Sequence, residues 1–318
     1  MTRRTYPQGV PCWIDTEQPD VGAAAAFYAG LFGWTFQDAM PAGAPGRYLI
    51  ARLHGQDVAV QRLVSAGATV RSPPADAGEG GRSAALTDPE GAEFRIWQAR
   101  RRFGAQVANQ PGAWNFSDLH TRDPGAARKF YEDAFGWQVD DLGFAMMIRR
   151  PGYGDHLEAT IDPGIRARQS KLAAPSGFED AIAWVATTAP AELPRWHVSF
   201  TVADRDQTVA DAKRLGAEVL SRDDTAWTRT ALIRDPQGAE FTASQFTPPP
   251  DLLSYEGLGR ARTCIRSPCC PNKLMNSTGL PSALANQCGV WVSNSAASPG
   301  RSSKSLSPST RRSRPLRM

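Results

Sequence analysis

The chain of 318 residues lacks the apolar run that a membrane span needs, because no stretch of about 18 uninterrupted apolar residues occurs in it. Its first residues, MTRRTYPQGVPCW, contain no apolar core of the kind found in a signal peptide. No GxSxG, CxxC or P-loop pattern is present, so nucleophilic hydrolysis, dithiol redox chemistry and phosphate-loop nucleotide binding have no supporting motif. These absences favour a cytoplasmic protein with no membrane partner.

Acidic residues are absent after Glu256, although ten Lys and Arg residues follow it. The formal net charge of +4 therefore divides into −6 on residues 1–256 and +10 on residues 257–318, which we call the basic tail. The tail is rich in Ser, Pro and Arg and poor in periodic apolar residues, so we predict that it is disordered. Without interleaved aromatic residues, nucleic acid is not favoured as its partner.

Cysteine is scarce, and four of the five cysteines lie in the basic tail with the spacing C-x4-C-C-x17-C. This spacing contains no CxxC pair and no nearby histidine, so it does not favour a zinc site. An alternative interpretation of the whole tail is a non-native reading frame appended to a finished domain. The abrupt loss of acidic residues motivates that hypothesis.

One phrase occurs twice in the body of the chain, as AFYAGLFGW at residues 26–34 and KFYEDAFGW at residues 129–137. Apolar residues recur at i, i+4 in both copies, which predicts two amphipathic helices whose apolar faces pack in the core. Residues suited to helix termini flank each copy, with Asp at the N-cap and Gly at the C-cap. These candidates are Asp20, Asp123, Gly33 and Gly136.

The distances between repeated phrases reveal a deletion. Phe27 and Phe130 are 103 residues apart, whereas Asp88 and Asp235 of the closing phrases DPEGAEF and DPQGAEF are 147 apart. The second copy therefore contains about 44 residues that the first lacks, including the equivalent of WHVSFTVADRDQTVADAK. We predict a truncated first module at residues 8–100, a linker at 101–111 and a complete second module at 112–247. Because the truncation would expose strand edges, we expect homodimerisation or marginal stability.

Each unit reads as a strand, a helix and further strands, and the phrases D-(x)6-FY-(x)3-FGW, GAEVL and DPxGAEF together resemble the vicinal oxygen chelate superfamily. That superfamily includes glyoxalase I, bleomycin resistance proteins and extradiol dioxygenases. The resemblance covers roughly residues 8–248 and is strongest with tandem two-module glyoxalase-like bacterial proteins. It implies an α+β fold of tandem βαβββ units whose curved mixed sheets form cups that hold a ligand or metal.

In metal-dependent members, the resemblance implies a His or Gln seven residues before each helix-capping Asp and a Glu on the closing strand. The corresponding first-strand residues here are Trp13, Phe116 and His197. The closing-strand residues are Arg95 and Thr242, neither of which is the expected ligand. The fixed positive charge of Arg95 would repel a divalent cation.

Strand parity nevertheless places several polar residues on one face, because alternate residues of a strand share a side. Asp118, His120 and His197 could converge, with Glu158 as a fourth member of the set. Two histidines and a carboxylate can hold Fe(II), Mn(II), Ni(II) or Zn(II). Asp118 and His120 are also the candidates for general acid–base catalysis, since burial can move either pKa towards neutrality.

The lining of the cups predicts binding of a small organic ligand, because aromatic and charged side chains together would make an amphipathic concavity. The candidate ligand-binding residues are Trp13, Asp15, Arg95, Trp97, Phe116, Ser199 and Thr242. The leading function is metal-independent binding of a small aromatic or cationic molecule, with no cofactor. The alternatives are a metal-dependent lyase, isomerase or dioxygenase, and a degenerate remnant without function.

Overall fold

The strands alternate with few helices in the computed structural model, which describes residues 4–39, 49–52, 67–172, 174–249 and 288–295. The strands are β1 (Pro11–Glu17), β2 (Thr35–Asp38), β3 (Leu49–Arg52), β4 (Thr69–Asp76), β5 (Gly81–Thr87), β6 (Glu93–Ala99), β7 (Trp114–Thr121), β8 (Gln138–Asp141), β9 (Met146–Arg149), β10 (Ala181–Thr187), β11 (Arg195–Thr201), β12 (Glu218–Asp224), β13 (Thr228–Arg234), β14 (Glu240–Phe246) and β15 (Cys288–Ser295).

The α-helices are α1 (Val21–Phe32), α2 (Pro124–Phe135), α3 (Tyr153–Thr160), α4 (Ile165–Lys171) and α5 (Arg205–Arg214), with a short 3-10 helix at Phe178–Asp180. The prediction of an α+β fold is confirmed.

Both repeated phrases form helices with the predicted caps. The carboxylate of Asp20 accepts hydrogen bonds from the backbone N–H groups of Gly22 and Ala23 at the start of α1, and that of Asp123 accepts one from Ala126 at the start of α2. Both helices end at a glycine with positive φ, 69° at Gly33 and 66° at Gly136, a conformation that other residues adopt only at a cost. The sequence therefore sets both ends of each helix locally.

The second module forms one eight-stranded sheet in the order β12-β13-β14-β11-β7-β10-β9-β8. Its two βαβββ units meet at the antiparallel pair of β7 and β11. In each unit the first strand pairs in parallel with the last, β7 with β10 and β11 with β14. One unit carries a helical insertion, α3 and α4, between β9 and β10, whereas the other joins β13 to β14 by a tight DPQG turn.

The first module contributes β1, β6, β5 and β4 to a five-stranded sheet of order β1-β15-β6-β5-β4. Strand β15 comes from the basic tail, so this eight-residue segment departs from the disorder predicted for residues 257–318. The facing edges of β1 and β6 supply the backbone partners that make a strand possible there. The rest of the tail lies outside the described residues.

The two repeated helices each pack on the opposite module. On α1, Phe32 lies 4.8 Å from Phe200 and 5.8 Å from Phe241, measured between ring centroids, and both partners belong to the second module. On α2, Phe130 lies 6.3 Å from Phe94 of β6 in the first module. The apolar faces predicted from the i, i+4 spacing are thus core faces, but they join the modules.

Two matching hydrogen bonds also connect each repeated helix to the opposite module. The hydroxyl of Tyr28 donates to Asp235 Oδ2 at 3.0 Å, and the hydroxyl of Tyr131 donates to Asp88 Oδ2 at 3.1 Å. Each Tyr comes from one repeated phrase, and each Asp comes from the closing phrase of the other module. All four residues are buried, so these bonds connect the modules in the core.

The Trp that ends each phrase makes a matching contact. Trp34 Nε1 donates to the carbonyl of Gly112 at 2.7 Å, and Trp137 Nε1 donates to the carbonyl of Gly9 at 2.7 Å. Each acceptor lies just before the first strand of the opposite module. Each copy of the repeated phrase therefore contacts the opposite module, which gives a physical reason why the phrase occurs twice in the chain.

In the part of the chain that the structure describes, none of the helices has the length and apolar character needed to cross a membrane.

Candidate functional site

The eight-stranded sheet has one face buried against helices and one more open face. On β7, Ser117, Leu119 and Thr121 are buried, whereas Asp118 and His120 between them keep partial exposure. Because alternate residues of a strand point to opposite faces, Asp118 and His120 share the open face. We call this open face the cup of the second module.

Strand β11 brings a second histidine to the cup. The antiparallel register of β7 and β11 places His197 opposite Asp118 and Arg195 opposite His120. The ring centroids of His120 and His197 are 5.3 Å apart. The structure therefore brings together three of the side chains that strand parity placed on one face: Asp118, His120 and His197.

Two hydroxyl groups fix the inner members of this cluster. His197 Nε2 lies 2.9 Å from Thr242 Oγ1, within hydrogen-bond distance. The carboxyl group of Asp118 accepts a hydrogen bond from Ser199. Ser199 and Thr242 are direct partners in the parallel ladder of β11 and β14, so both hydroxyls belong to the same wall of the cup. Both residues are ligand-binding candidates from the sequence, Ser199 by strand parity with His197 and Thr242 by its closing-strand position.

Burial dominates the electrostatics of the cluster. It raises the pKa of Asp118 from 3.8 to about 7, although the hydrogen bond from Ser199 acts in the opposite direction. Burial, followed by the positive charge of Arg195, lowers the pKa of His120 to about 4. Burial, then His120 and Arg195, lowers the pKa of His197 to about 3. Each shift has the direction that desolvation of a charged form produces.

At pH 7, therefore, both imidazoles are neutral, while Asp118 is divided between its protonated and ionised forms. A neutral imidazole offers one nitrogen as donor and the other as acceptor. A carboxyl group with a pKa near the working pH can give or take a proton. The cluster can therefore hydrogen-bond a hydroxyl or carbonyl group and exchange a proton with it.

One side of the cup is aromatic. Phe116, Phe178 and Trp184 form a triangle with ring centroids 6.0 to 6.3 Å apart, and all three keep partial exposure. Trp184 is the partner of Asp118 in the β7–β10 ladder, so its ring adjoins the polar cluster. Of the three, sequence reasoning identified only Phe116. Trp184 could have been found by applying parity to the AIAWVAT strand, whereas Phe178 belongs to the insertion and gave no signal.

The opposite side of the cup is rich in hydroxyl groups. Beyond the Ser199–Thr242 pair, Thr201 lies opposite Ser244 in the ladder of β11 and β14. Ser244 in turn lies opposite Thr230 in the ladder of β13 and β14. The two βαβββ units therefore supply different walls, one aromatic and one hydroxylated. The cluster of Asp118, His120 and His197 lies where these walls meet, at the junction of β7 and β11.

The four candidates in the first module lie on a different sheet. Trp13 and Asp15 are on β1, and Arg95 and Trp97 are on β6 of the five-stranded sheet. Arg95 Nε lies 3.1 Å from Asp15 Oδ2, and the same guanidinium contacts Glu17. The structure therefore places these residues on a different sheet from Phe116 and Asp118, and the guanidinium of Arg95 is paired with neighbouring carboxylates.

Glu158 does not lie on a strand of the cup. It belongs to helix α3 in the insertion, where its carboxylate forms an ion pair with Arg166. The same guanidinium also contacts Asp155 and Glu179, which makes the group a local ion-pair network. Among the described residues, no group of three or more His, Cys, Asp or Glu side chains has the arrangement needed to hold a metal ion.

Comparison with known proteins agrees with this architecture. Residues 103–244 match the family profile of a glyoxalase-like domain. The CFP32 protein of Mycobacterium bovis, provisionally named a glyoxylase, is 30% identical over 277 residues, covering 77% of this chain and 98% of that protein. The anthracycline biosynthesis protein DauV of Streptomyces sp. strain C5 is 32% identical over 285 residues, covering 76% of this chain and 94% of that protein.

Among solved structures, the 2,3-dioxygenase LapB from Pseudomonas sp. KL28 covers 77% of this chain and 96% of its own, with 12% identity and a TM-score of 0.44. A likeness at that level says nothing about activity. Paired βαβββ units with ligand-binding cups define the vicinal oxygen chelate superfamily. Within it, this chain belongs to the glyoxalase-like family.

Proposed function

We propose that the cup of the second module binds a small planar aromatic molecule that carries a hydroxyl or carbonyl group at its edge. The observation that carries this proposal is the aromatic triangle of Phe116, Phe178 and Trp184 beside Asp118. Partly exposed aromatic rings bordering a polar cluster are the arrangement by which proteins bury a flat ligand and fix its orientation.

The polar edge of such a ligand would meet the cluster. Neutral His120 and His197 offer donors and acceptors without a fixed charge, and Asp118 can exchange a proton with a ligand hydroxyl. The hydroxylated wall would supply further partners through the partly exposed Thr201 and Ser244, while Ser199 and Thr242 hold Asp118 and His197 in place. The ligand would therefore stack against one βαβββ unit and hydrogen-bond to the other.

The names of relatives support this class of ligand. DauV is named for anthracycline biosynthesis and is 32% identical to this chain. An anthracycline is a planar polycyclic aromatic molecule with hydroxyl and carbonyl edges, which is the chemistry that the two walls of the cup would accept. The proposal extends that class to this chain without assigning the same compound.

We further propose that binding does not depend on a metal. Thr242 stands at the closing-strand position where metal-dependent members carry Glu, and its hydroxyl is engaged with His197 Nε2 at 2.9 Å. Asp118 is engaged with Ser199, and Glu158 is paired with Arg166 on helix α3, outside the strands of the cup. The donor set as arranged does not fit a divalent ion, so no step of binding is assigned to one.

The test is calorimetric titration of the full chain with 2-naphthol, using decahydro-2-naphthol as a probe of similar size without aromatic faces. We expect the aromatic probe to bind more tightly, and Trp184→Leu to weaken its binding about tenfold, the usual order of a lost aromatic contact. Phe144→Leu is the matched control, because Phe144 is 78% exposed in the β8–β9 turn. Equal affinity for both probes, or unchanged affinity in Trp184→Leu, would reject the proposal.

The alternative is a metal-dependent lyase, isomerase or dioxygenase using His120, His197 and a carboxylate. The observation that favours it is the close approach of two neutral imidazoles beside Asp118. Elemental analysis of untagged protein distinguishes the two. Near-stoichiometric iron, manganese, nickel or zinc that is lost in His197→Ala would establish the metal-dependent reading. A folded chain that bound neither metal nor aromatic probe would instead indicate a degenerate remnant.

A further inference from the structure

The five-stranded sheet has a position that the first module does not fill from its own described residues. In the second module, β11 lies between β7 and β14. The first-module strands in the places of β7 and β14 are β1 and β6. The strand that would lie between them belongs to the segment that the offsets of the repeated phrases identify as deleted. We call the space between β1 and β6 the strand slot.

The basic tail occupies the strand slot. Strand β15 pairs in parallel with β1, from Pro11 opposite Val290 to Glu17 opposite Ser295, and antiparallel with β6. This orientation is the reverse of the second module, where β11 is antiparallel to β7 and parallel to β14. The tail segment is therefore a substitute for the missing strand and not a displaced copy of it.

A side-chain contact between the body strands shows that the slot is one strand wide. Arg95 on β6 reaches Asp15 on β1 with a separation of 3.1 Å between Nε and Oδ2, across the position of β15. Strands on either side of a third lie about 9.5 Å apart, a distance that a long Arg side chain can bridge. The ion pair thus closes one face of the slot over a single extended segment.

Backbone pairing explains why a segment of unrelated sequence can occupy the strand slot. An empty slot would leave two strand edges with unpaired N–H and C=O groups, which proteins normally cover. Strand addition obtains its affinity mainly from main-chain hydrogen bonds and so tolerates many sequences. The segment CGVWVSNS has no charge and no proline and contains β-branched and aromatic residues, unlike the basic sequence that surrounds it.

We propose that the strand slot is an acceptor site for an extended peptide strand, and that Cys288–Ser295 of the same chain is its occupant. This goes beyond ligand binding in the second module, because it makes the tail a structural part of the first. The 41 residues between Phe246 and Cys288 can span up to about 130 Å, so chain length permits an intramolecular connection.

Hydrogen exchange on the full chain, followed by mass spectrometry, tests the proposal. We expect slow exchange in Cys288–Ser295 of the unmodified chain. Val292→Pro should accelerate exchange about tenfold or more in β1 and β6, because proline removes a ladder hydrogen bond and leaves the backbone group that paired with it without a partner. Ser302→Pro is the matched control, since it makes the same kind of change in the tail outside the strand. It should leave both strands as protected as in the unmodified chain.

Two results would overturn the proposal. One is fast, unprotected exchange in Cys288–Ser295 while β1 and β6 remain protected. The other is an effect of Val292→Pro that appears only in a dimer, detected by size-exclusion chromatography across protein concentrations, because the occupant would then come from a second copy. A variant that failed to fold would be replaced by Val292→Gly, which keeps the N–H group and should accelerate exchange less than proline does.

Discussion

The most specific consequence of the exchanged helices is an inequality between two matching substitutions, Tyr131→Phe and Tyr28→Phe. Each removes one hydroxyl that connects a repeated helix to a buried Asp of the opposite module. Sequence repetition alone would predict equal effects. The structure predicts that Tyr131→Phe is the more damaging change.

The difference in cost comes from the buried groups that lose a hydrogen-bond partner when each hydroxyl is removed. Tyr131 donates to Asp88 Oδ2 and also accepts a hydrogen bond from Trp196 Nε1 at 3.1 Å, and Trp196 is buried. Its loss removes a bond to a carboxyl group, about 1.5–3 kcal/mol, and leaves a buried N–H without a partner, about 1–3 kcal/mol. Allowing for local relaxation, Tyr131→Phe should cost about 3–4 kcal/mol.

Tyr28 leaves a smaller deficit. Its partner, Asp235 Oδ2, also receives a hydrogen bond from Gln18 Nε2 at 2.6 Å, so the oxygen keeps a donor after Tyr28→Phe. The expected cost is about 1.5–2 kcal/mol, the lower end for a hydrogen bond to a carboxyl group, because the acceptor keeps another donor and no buried N–H group loses its partner. The two substitutions should therefore differ by about 2 kcal/mol in free energy of unfolding.

Equilibrium unfolding in urea measures this difference, provided that the slope of the transition stays constant among the variants. A double-mutant cycle of Tyr131→Phe with Asp88→Asn should give a coupling energy, since the two groups are in contact. Equal destabilisation by Tyr28→Phe and Tyr131→Phe, or a larger effect of Tyr28→Phe, would refute the proposed arrangement of the interface between the modules.

Three further outcomes follow from single groups. Because the pKa of Asp118 rises from 3.8 to about 7 on folding, the folded chain binds that proton more tightly, so this group's contribution to stability falls as pH rises from about 4 to 7. Asp118→Asn should therefore gain stability relative to the unmodified chain across that window, by at most about 4 kcal/mol above pH 7, and parallel pH profiles from urea unfolding would contradict this. Thr242→Val should cost about 1–3 kcal/mol by removing the partner of the buried His197 ring, and an unchanged thermal midpoint would count against that bond. Asp20→Ala should cost about 1 kcal/mol by removing the N-cap of α1, with Asp123→Ala expected to behave alike in α2; a urea transition unmoved by either change would show that the caps do not contribute.

Local rules made the repeated helices predictable from sequence. Asp20 and Gly33 act within a few residues of chain, so composition at those positions was sufficient to place both ends of α1. Strand parity was equally local, and it grouped Asp118 with His120 correctly on one face. The convergence with His197 required in addition that β7 and β11 be neighbours in one sheet, as they are in the structure.

Non-local features were not predictable in the same way. The packing of each helix on the opposite module depends on how the two sheets are arranged, and the i, i+4 pattern shows only that a core face exists. Phe178 reaches the cup through an insertion whose path has no periodic signal. Glu158 fell on helix α3 because the DHLEATID segment follows Gly152 with helical rather than alternating character. The strand in the basic tail depends on backbone partners that lie far away in sequence.

The central claim, metal-independent binding of a planar aromatic molecule in the second module, is tested most directly by titrating the metal-stripped full chain. The chain would be dialysed against EDTA, checked by elemental analysis and titrated with 2-naphthol before and after adding Mn(II). We predict the same affinity in both states, with the weaker binding of Trp184→Leu retained. Binding that disappears when the metal is removed and returns with Mn(II) would contradict the claim and support the metal-dependent alternative.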